Sequence, residues 1–318
     1  MKQPKPPQRR KASPVEKPEQ KPGHKPVKAQ RQQSEQKTER LQKVMAAAGL
    51  GSRRVLEKQI KSGKVLVNNK PATIGQNANA GDLINYDGKQ WKVVSKATEQ
   101  RSLVYNKPTG EMTTRSDPQG RPTVFDKLPK IEGARWIAVG RLDLNTSGLL
   151  LMTTDGELAN AMMHPSNQVD REYACRIFGE VDADKLANLR KGVMLEDGLA
   201  QFSDIQAAGG DESNQWYHVT LLEGRNREVR RLWASQDVIV SRLKRVRYGA
   251  VFLPKRLRMG DWSELSTRDH QILREDVGLG PVPVQLALKP LKVQRESDRR
   301  STFKHSKPRK KSTRYKDV

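Results

Sequence analysis

Residues 139–151 read Val-Gly-Arg-Leu-Asp-Leu-Asn-Thr-Ser-Gly-Leu-Leu-Leu, and they set one carboxylate, Asp143, between two apolar runs. Trp136, Ile137, Ala138 and Val139 lead in, and Leu149, Leu150, Leu151 and Met152 lead out. Two buried strands would then flank a loop holding an Arg, an Asp, a Thr and two glycines. Loops carried by rigid strands are where binding and catalytic side chains concentrate. A carboxylate beside such a core needs a partner, because an unpaired buried charge is costly. Arg141 is the nearest in the chain, so an Arg–Asp pair or an Asx-turn is the purely structural alternative.

Composition narrows the kind of partner. The 318 residues carry a formal charge of +24, unevenly spread. Residues 1–40 hold 12 Lys/Arg against 4 Asp/Glu, and residues 281–318 hold 12 against 3. Both ends are poor in aliphatic residues and cannot bury enough surface to offset the entropy of ordering. The segments 1–37 and 281–318 therefore read as disordered basic arms. Such arms attach to polyanions by counterion release, with little sequence preference. Nucleic acid is the expected partner, ahead of a tail that serves solubility alone. The single cysteine, Cys175, excludes an intrachain disulfide and fits a reducing cytoplasm. No apolar leader or run of 18 apolar residues occurs, so neither export nor membrane spanning is expected. The five histidines lack metal-ligand spacing, and no phosphate-cradling glycine loop is present. The expected chemistry uses no metal and no cofactor.

A small module comes first, over residues 38–96. Leu41, Val44, Met45 and Ala48 fall on one helical face, with Thr38 as N-cap and Gly49 as stop. Ser52 caps a second predicted helix that turns Val55, Leu56 and Ile60 inward and ends at Ser62-Gly63. Val65–Val67 reads as a strand, Asn68-Asn69 as a turn, and residues 83–94 as a hairpin around Asp87-Gly88. Arg53, Arg54, Lys58, Lys61 and Lys64 gather around the second helix and its exit, a pattern suited to phosphate. The runs Gly51-Ser52-Arg53-Arg54, Gly63-Lys64-Val65-Leu66-Val67-Asn68 and Gly81-Asp82-Leu83-Ile84 resemble the S4 RNA-binding domain over residues 39–86. The resemblance implies binding to structured RNA.

A larger domain follows, over residues 101–280. Leu103-Val104-Tyr105 reads as a strand ended by Asn106-Lys107-Pro108-Thr109-Gly110, and residues 149–154 read as another. A short helix over 157–163 stops at His164-Pro165, since proline cannot continue it. Residues 171–178 alternate, with Tyr173, Cys175 and Ile177 on one strand face. Asp182 caps a helix ending at Gly192, and residues 216–222 form a further strand. In the helix predicted over 223–233, Val229, Leu232 and Trp233 share one face, and Arg227, Arg230 and Arg231 the other. Strands and helices interspersed at these lengths predict an α+β fold with a largely antiparallel sheet.

Four segments in this order resemble the pseudouridine synthases that modify ribosomal RNA and carry an N-terminal S4 domain. They are Lys107 to Gly110, Gly140 to Leu149, the strand with Tyr173, and Glu223-Gly224-Arg225-Asn226-Arg227-Glu228-Val229-Arg230-Arg231. The resemblance implies that Asp143 is catalytic, either attacking C1′ of the nucleotide or removing its 2′ proton. It implies that Tyr173 stacks on the target base and that Arg230, rather than the neighbouring Arg141, pairs with Asp143. Arg141 then becomes an RNA contact that takes the place of the flipped nucleotide, and Arg171 stands where the family often has lysine. Arg225, Arg227 and Arg231 join the S4 residues as expected phosphate contacts. The implied partner is 23S ribosomal RNA or a large-subunit precursor, bound by a monomer. Two other readings use the same residues: a noncatalytic RNA chaperone or ribosome-assembly factor, and a glycosylase that releases free base.

Overall fold

The structure, a computed structural model, describes residues 38–96, 99–211 and 214–291; the expected arm at 1–37, and the tail beyond 291, lie outside the described residues. Two helices open it. Helix α1 (Leu41–Ala47) buries Leu41, Val44 and Met45. Its N-cap is Arg40, not Thr38, and no side chain caps it; instead the Leu41 N–H donates to the Gln76 carbonyl at 2.9 Å. Helix α2 (Arg53–Lys61) is capped as expected, the Ser52 hydroxyl accepting from the Val55 N–H at 3.2 Å. Leu56 and Ile60 turn inward, whereas Val55, expected on the same face, is 48% exposed. Four strands follow: β1 (Val65–Val67), β2 (Lys70–Pro71), β3 (Leu83–Tyr86) and β4 (Lys89–Lys96). The tight β3–β4 hairpin turns through Asp87 and Gly88, both at positive φ.

The larger domain is a nine-stranded sheet. In chain order its elements are β5 (Ser102–Lys107), β6 (Ser147–Thr153), α3 (Gly156–Met163), β7 (Arg171–Phe178) and α4 (Ala183–Lys191). Then come β8 (Asp204–Gly210), β9 (Asn214–Leu221), α5 (Glu228–Ala234), β10 (Ile239–Tyr248), β11 (Trp262–Glu264) and α6 (Thr267–Asp276). The strands run β8–β9–β7–β10–β6–β5–β11, with Ile137–Ala138 added on β6 and Val251–Phe252 on β10. Every pairing is antiparallel except β6 with β10, so the α+β expectation is met. Strands β5 and β6 are buried at every position, which explains the uninterrupted apolar run after Asp143. Tyr105, Leu150 and Met152 join one core with Tyr173, Cys175, Ile177 and Trp233. Val104, Leu149 and Leu151 join the other with Leu158, Met162, Tyr248 and Leu273.

Gly148 permits the parallel contact. It stands at φ +99° opposite Arg245, and a Cβ there would collide with the Arg245 carbonyl oxygen and lie 2.9 Å from its nitrogen. Glycine alone meets both conditions, and the Thr-Ser-Gly-Leu run is explained by them. Helix α5 departs from expectation. It begins only at Glu228, and Arg227 precedes it in the left-handed region at φ +49°. Arg227, Arg230 and Arg231 consequently do not share a helical face.

Helix α6 is fastened by buried charge. Asp155 is fully buried; it caps α3 through the Glu157 and Leu158 N–H groups at 2.9 and 3.1 Å and forms an ion pair with Arg274. His270 stands 3.5 Å from the same carboxylate and shares a 2.8 Å hydrogen bond with Ser102. Burial works against the Asp155 charge, but His270, the Leu158 N–H and Arg274 outweigh it and hold the carboxyl at about 2. Because this value lies below the ordinary one, its stabilisation is present above about pH 4 and is lost as pH falls toward 2. Asp155→Asn keeps a capping oxygen but strands Arg274, and should cost roughly 3–5 kcal/mol in urea unfolding. The variant should also lose the wild-type acid dependence below pH 4; an unchanged acid limb would refute the assignment.

The chain then returns to its beginning. The expected tail from residue 281 is corrected here, because β12 (Gln285–Pro290) is an ordered strand. It pairs antiparallel with β4 over six residues, giving the order β12–β4–β3–β1–β2. Leu286 and Leu288 enter the small core beside Leu41, Leu56 and Trp91. Their spacing of two puts both leucines on the buried face, with Lys289 exposed.

Candidate active site

Asp143 is positioned by its backbone. Lys107, the last residue of β5, is fully buried and points its Nζ into the loop. It donates to the carbonyl oxygens of Pro108, Asp143 and Thr146 at 2.9, 3.1 and 3.0 Å. Burial lowers its pKa to about 8, against the opposing charges of Glu111 and Asp143, so at neutral pH it keeps all three donors. The Gly110 N–H donates to the Leu144 carbonyl at 2.8 Å, and the Thr113 hydroxyl to the Leu142 carbonyl at 2.9 Å. The Thr146 N–H closes a turn on Asp143 at 3.1 Å. The Lys-Pro-x-Gly segment therefore acts as a clamp on the loop, a role the sequence reading did not assign. Replacing Lys107 with Met takes a donor from three carbonyls, of which that of Thr146 lies in a buried contact and costs about 1–3 kcal/mol if left unmet. Tritium release from C5-labelled uridine should fall on the order of 10²-fold for this variant while RNA affinity stays unchanged. Equal losses in both would show that Lys107 touches RNA instead.

The carboxylate itself is half-buried and makes no hydrogen bond or ion pair within 4 Å to any described residue. It lines a cavity of about 730 Å³ together with Tyr173, Arg141, Thr113, Arg171 and Arg245. Tyr173 is 9% exposed and reaches this cavity from β7. The two residues expected to meet the base thus open on one space, large enough for a nucleoside. Arg141 is exposed at its rim.

The expected Asp143–Arg230 ion pair is not formed. Arg230 donates through Nη1 to the Val240 carbonyl at 2.7 Å and through Nη2 to the Asn145 carbonyl at 3.0 Å. Burial lowers its pKa, with the Arg227 charge acting the same way and Asp143 opposing at longer range. Arg230 therefore ties the Asp143 loop to β10 and is not among the cavity's lining residues. Arg231 also turns away, into a two-pronged pair with Asp197 at 2.8 Å for each bond. Arg225 lines the cavity but is held by Glu223 at 2.8 Å and by the Gly198 and Leu199 carbonyls. Arg227 is exposed at the cavity. In the small module, Arg53, Arg54, Lys58, Lys61 and Lys64 are all exposed around α2.

Glu228 was also passed over in the sequence. It is buried against the cavity and accepts the Arg225 N–H at 2.9 Å. Burial, with Glu223 nearby, pushes its carboxyl up to about 7. No group of three or more His, Cys, Asp or Glu suited to a metal ion occurs among the described residues. No helix among them is long and apolar enough to cross a membrane.

Known proteins resemble this chain in both of its domains. Residues 39–84 match the S4 domain model, and residues 101–235 match the RNA pseudouridylate synthase model. Ribosomal large subunit pseudouridine synthase B of Escherichia coli K12 is 58% identical over 247 residues, 77% of this chain and 85% of that protein. The protein of the same name from Haemophilus influenzae is 56% identical over 81% of this chain and 73% of its own length. That of Pseudomonas aeruginosa is 56% identical over 77% of this chain, a match spanning 64% of the relative. A solved pseudouridylate synthase shares the fold at a TM-score of 0.52 and 24% identity, over 74% of this chain and 99% of that one. By its two domains and these relatives, the chain belongs to the S4-domain RNA pseudouridine synthases, in the group of ribosomal large subunit pseudouridine synthase B.

Proposed function

We propose that this protein isomerises a uridine of 23S ribosomal RNA, or of a large-subunit precursor, to pseudouridine, acting as a monomer in the cytoplasm. One observation carries the reading of the site. A carboxylate fixed by three backbone clamps, yet unpaired itself, shares a nucleoside-sized cavity with a nearly buried tyrosine.

The uridine must leave its stack to reach that cavity, at a cost of roughly a few kcal/mol. The exposed cations of α2, with Arg227 and Arg141, supply binding energy by contacting phosphates, and Arg141 fills the space left by the base. Tyr173 stacks on the uracil. The N1–C1′ bond then breaks with its electron pair remaining on the ring. Asp143 either bonds to C1′ or takes the 2′ proton. The detached base turns inside the cavity and C5 bonds to C1′, as the Asp143–C1′ bond breaks in the first route or Asp143 returns the proton to C2′ in the second; C5 then loses its proton and N1 gains one. An unpaired Asp143 suits both routes, since neither requires it to break an existing ion pair first.

The test is tritium release from C5-labelled uridine in large-subunit ribosomal RNA, with assay for free uracil. Tritium release without free uracil is expected. Free uracil would make the protein a glycosylase, and no release of either would make it a noncatalytic RNA-binding factor.

A further inference from the structure

Resting on that reading, a second charged group stands out in the same cavity. Arg245 of β10 is only 2% exposed, yet no acidic group lies within 4 Å of it among the described residues. Its Nε donates to the Leu149 carbonyl at 2.8 Å, and its Nη2 is enclosed without any hydrogen-bond partner. The guanidinium carbon lies 4.8 Å from the centre of the Tyr248 ring, as does that of Arg171. The two arginines differ in their remaining contacts. Arg171 is satisfied by the carbonyls of Val169, Leu222 and Met162 and by the Tyr248 hydroxyl. Arg245 is not. A buried cation with an idle donor is expensive to maintain. The ring face of Tyr248 and one carbonyl offset only part of that cost.

Location decides what the idle donor is for. Arg245 is the register partner of Tyr173 on the adjacent strand and lines the same cavity. Across the parallel seam it faces Gly148, five residues beyond Asp143. It is therefore on the sheet floor, beside the tyrosine that takes the base. A phosphate must stay continuous with the RNA chain outside and belongs at the rim, with exposed Arg141 and Arg227. The group that reaches the floor is the uracil ring. In uridine that ring is neutral. When N1–C1′ breaks, the ring holds the electron pair, and its negative charge spreads over N1 and the carbonyl oxygens O2 and O4.

We propose that Arg245 is a catalytic residue whose guanidinium donates to a uracil carbonyl oxygen, stabilising the uracil anion at bond cleavage and retaining the detached base. The attraction grows as charge develops, so it lowers the barrier more than it strengthens binding. When C5 bonds to C1′ and a proton reaches N1, the ring is neutral again and the hold on it weakens. The cost of an uncompensated buried cation is thus met during the step that generates an anion.

The experiment compares wild type, Arg245→Gln and Arg245→Lys under single-turnover conditions, following loss of the parent nucleoside from large-subunit ribosomal RNA. Two transcripts are used, one with uridine and one with 5-fluorouridine, whose electron-withdrawing fluorine stabilises the ring anion. On uridine RNA the Gln variant should lose on the order of 10²–10³-fold in rate with RNA affinity unchanged. The Lys variant, which keeps a cation of poorer geometry, should lose about tenfold. For both, the defect should shrink several-fold on fluorinated RNA, because a better leaving group needs less help. A lesion that merely disturbed the sheet would slow both substrates equally, and that result overturns the proposal. Loss of RNA affinity matching the loss of rate also overturns it, since Arg245 would then be a phosphate contact. If the Gln variant fails to fold, the Lys variant carries the same comparison. A wild type inactive on uridine RNA would instead refute the functional reading on which the proposal rests.

Discussion

Asp143→Asn should abolish tritium release, with a rate loss on the order of 10⁴-fold or more, typical of removing a group that acts directly on the reacting bond. It should do so without unfolding the protein or weakening RNA binding. The loop is held through the carbonyls of Leu142, Asp143 and Thr146 and by Gly110 and Lys107, all of which survive the substitution. The carboxylate contributes no contact of its own to that clamp. A structural Arg–Asp pair or Asx-turn would give the reverse pattern, a lowered unfolding midpoint with activity lost only in proportion. Thermal unfolding and RNA binding measured beside the rate separate the two. A variant that releases tritium as fast as wild type would sink the catalytic assignment.

The second large effect concerns β12. Substituting both Leu286→Asp and Leu288→Asp in the full-length chain should detach the strand from β4 while leaving the basic tail charge nearly intact. Each leucine buried in the small core is worth about 1.5–3 kcal/mol, so the pair accounts for much of the stability a module of this size can hold. Hydrogen exchange should show lost protection across residues 41–96 and retained protection across 102–264. RNA affinity should fall with the small module, and a uniform change across the chain would contradict the assignment of these leucines to it.

How much the sequence disclosed varies from residue to residue for physical reasons. Strand β6 was legible because complete burial leaves the run at 149–152 unbroken, β5 only through its central Leu103-Val104-Tyr105, and β7 because one face alternates. Asp143 and Tyr173 stand out through their motifs, and the fold opens both on one cavity. Strand β12 was not. Its two leucines alternate over too short a span amid lysines, and its partner edge lies about 190 residues earlier with no local sign of the pairing. The helix near Arg230 was drawn too long because a non-glycine residue, Arg227, adopts a left-handed conformation that spacing does not reveal. Once the helix starts later, Arg230 aims at two carbonyls instead of Asp143. Arg245 is one of four cations in β10, with Arg242, Lys244 and Arg247, and their spacing does not show which of them is enclosed. The burial of Arg245 comes from neighbours on β6 and β7 that only the sheet assembles.

The late return of β12 also sets an order of maturation. A chain emerging from its own synthesis presents β4 as a bare edge while nearly two hundred further residues are made. Joining ends so far apart carries a loop-closure penalty and slows formation of that contact. Until then β4 offers unpaired N–H and C=O groups of the kind that invite pairing with another chain. The larger sheet, lying wholly between β4 and β12, can be assembled first and bring the two ends together. The RNA-binding module that begins the sequence would on this logic be among the last parts to become complete, so that a prematurely terminated chain would lack a finished grip on RNA.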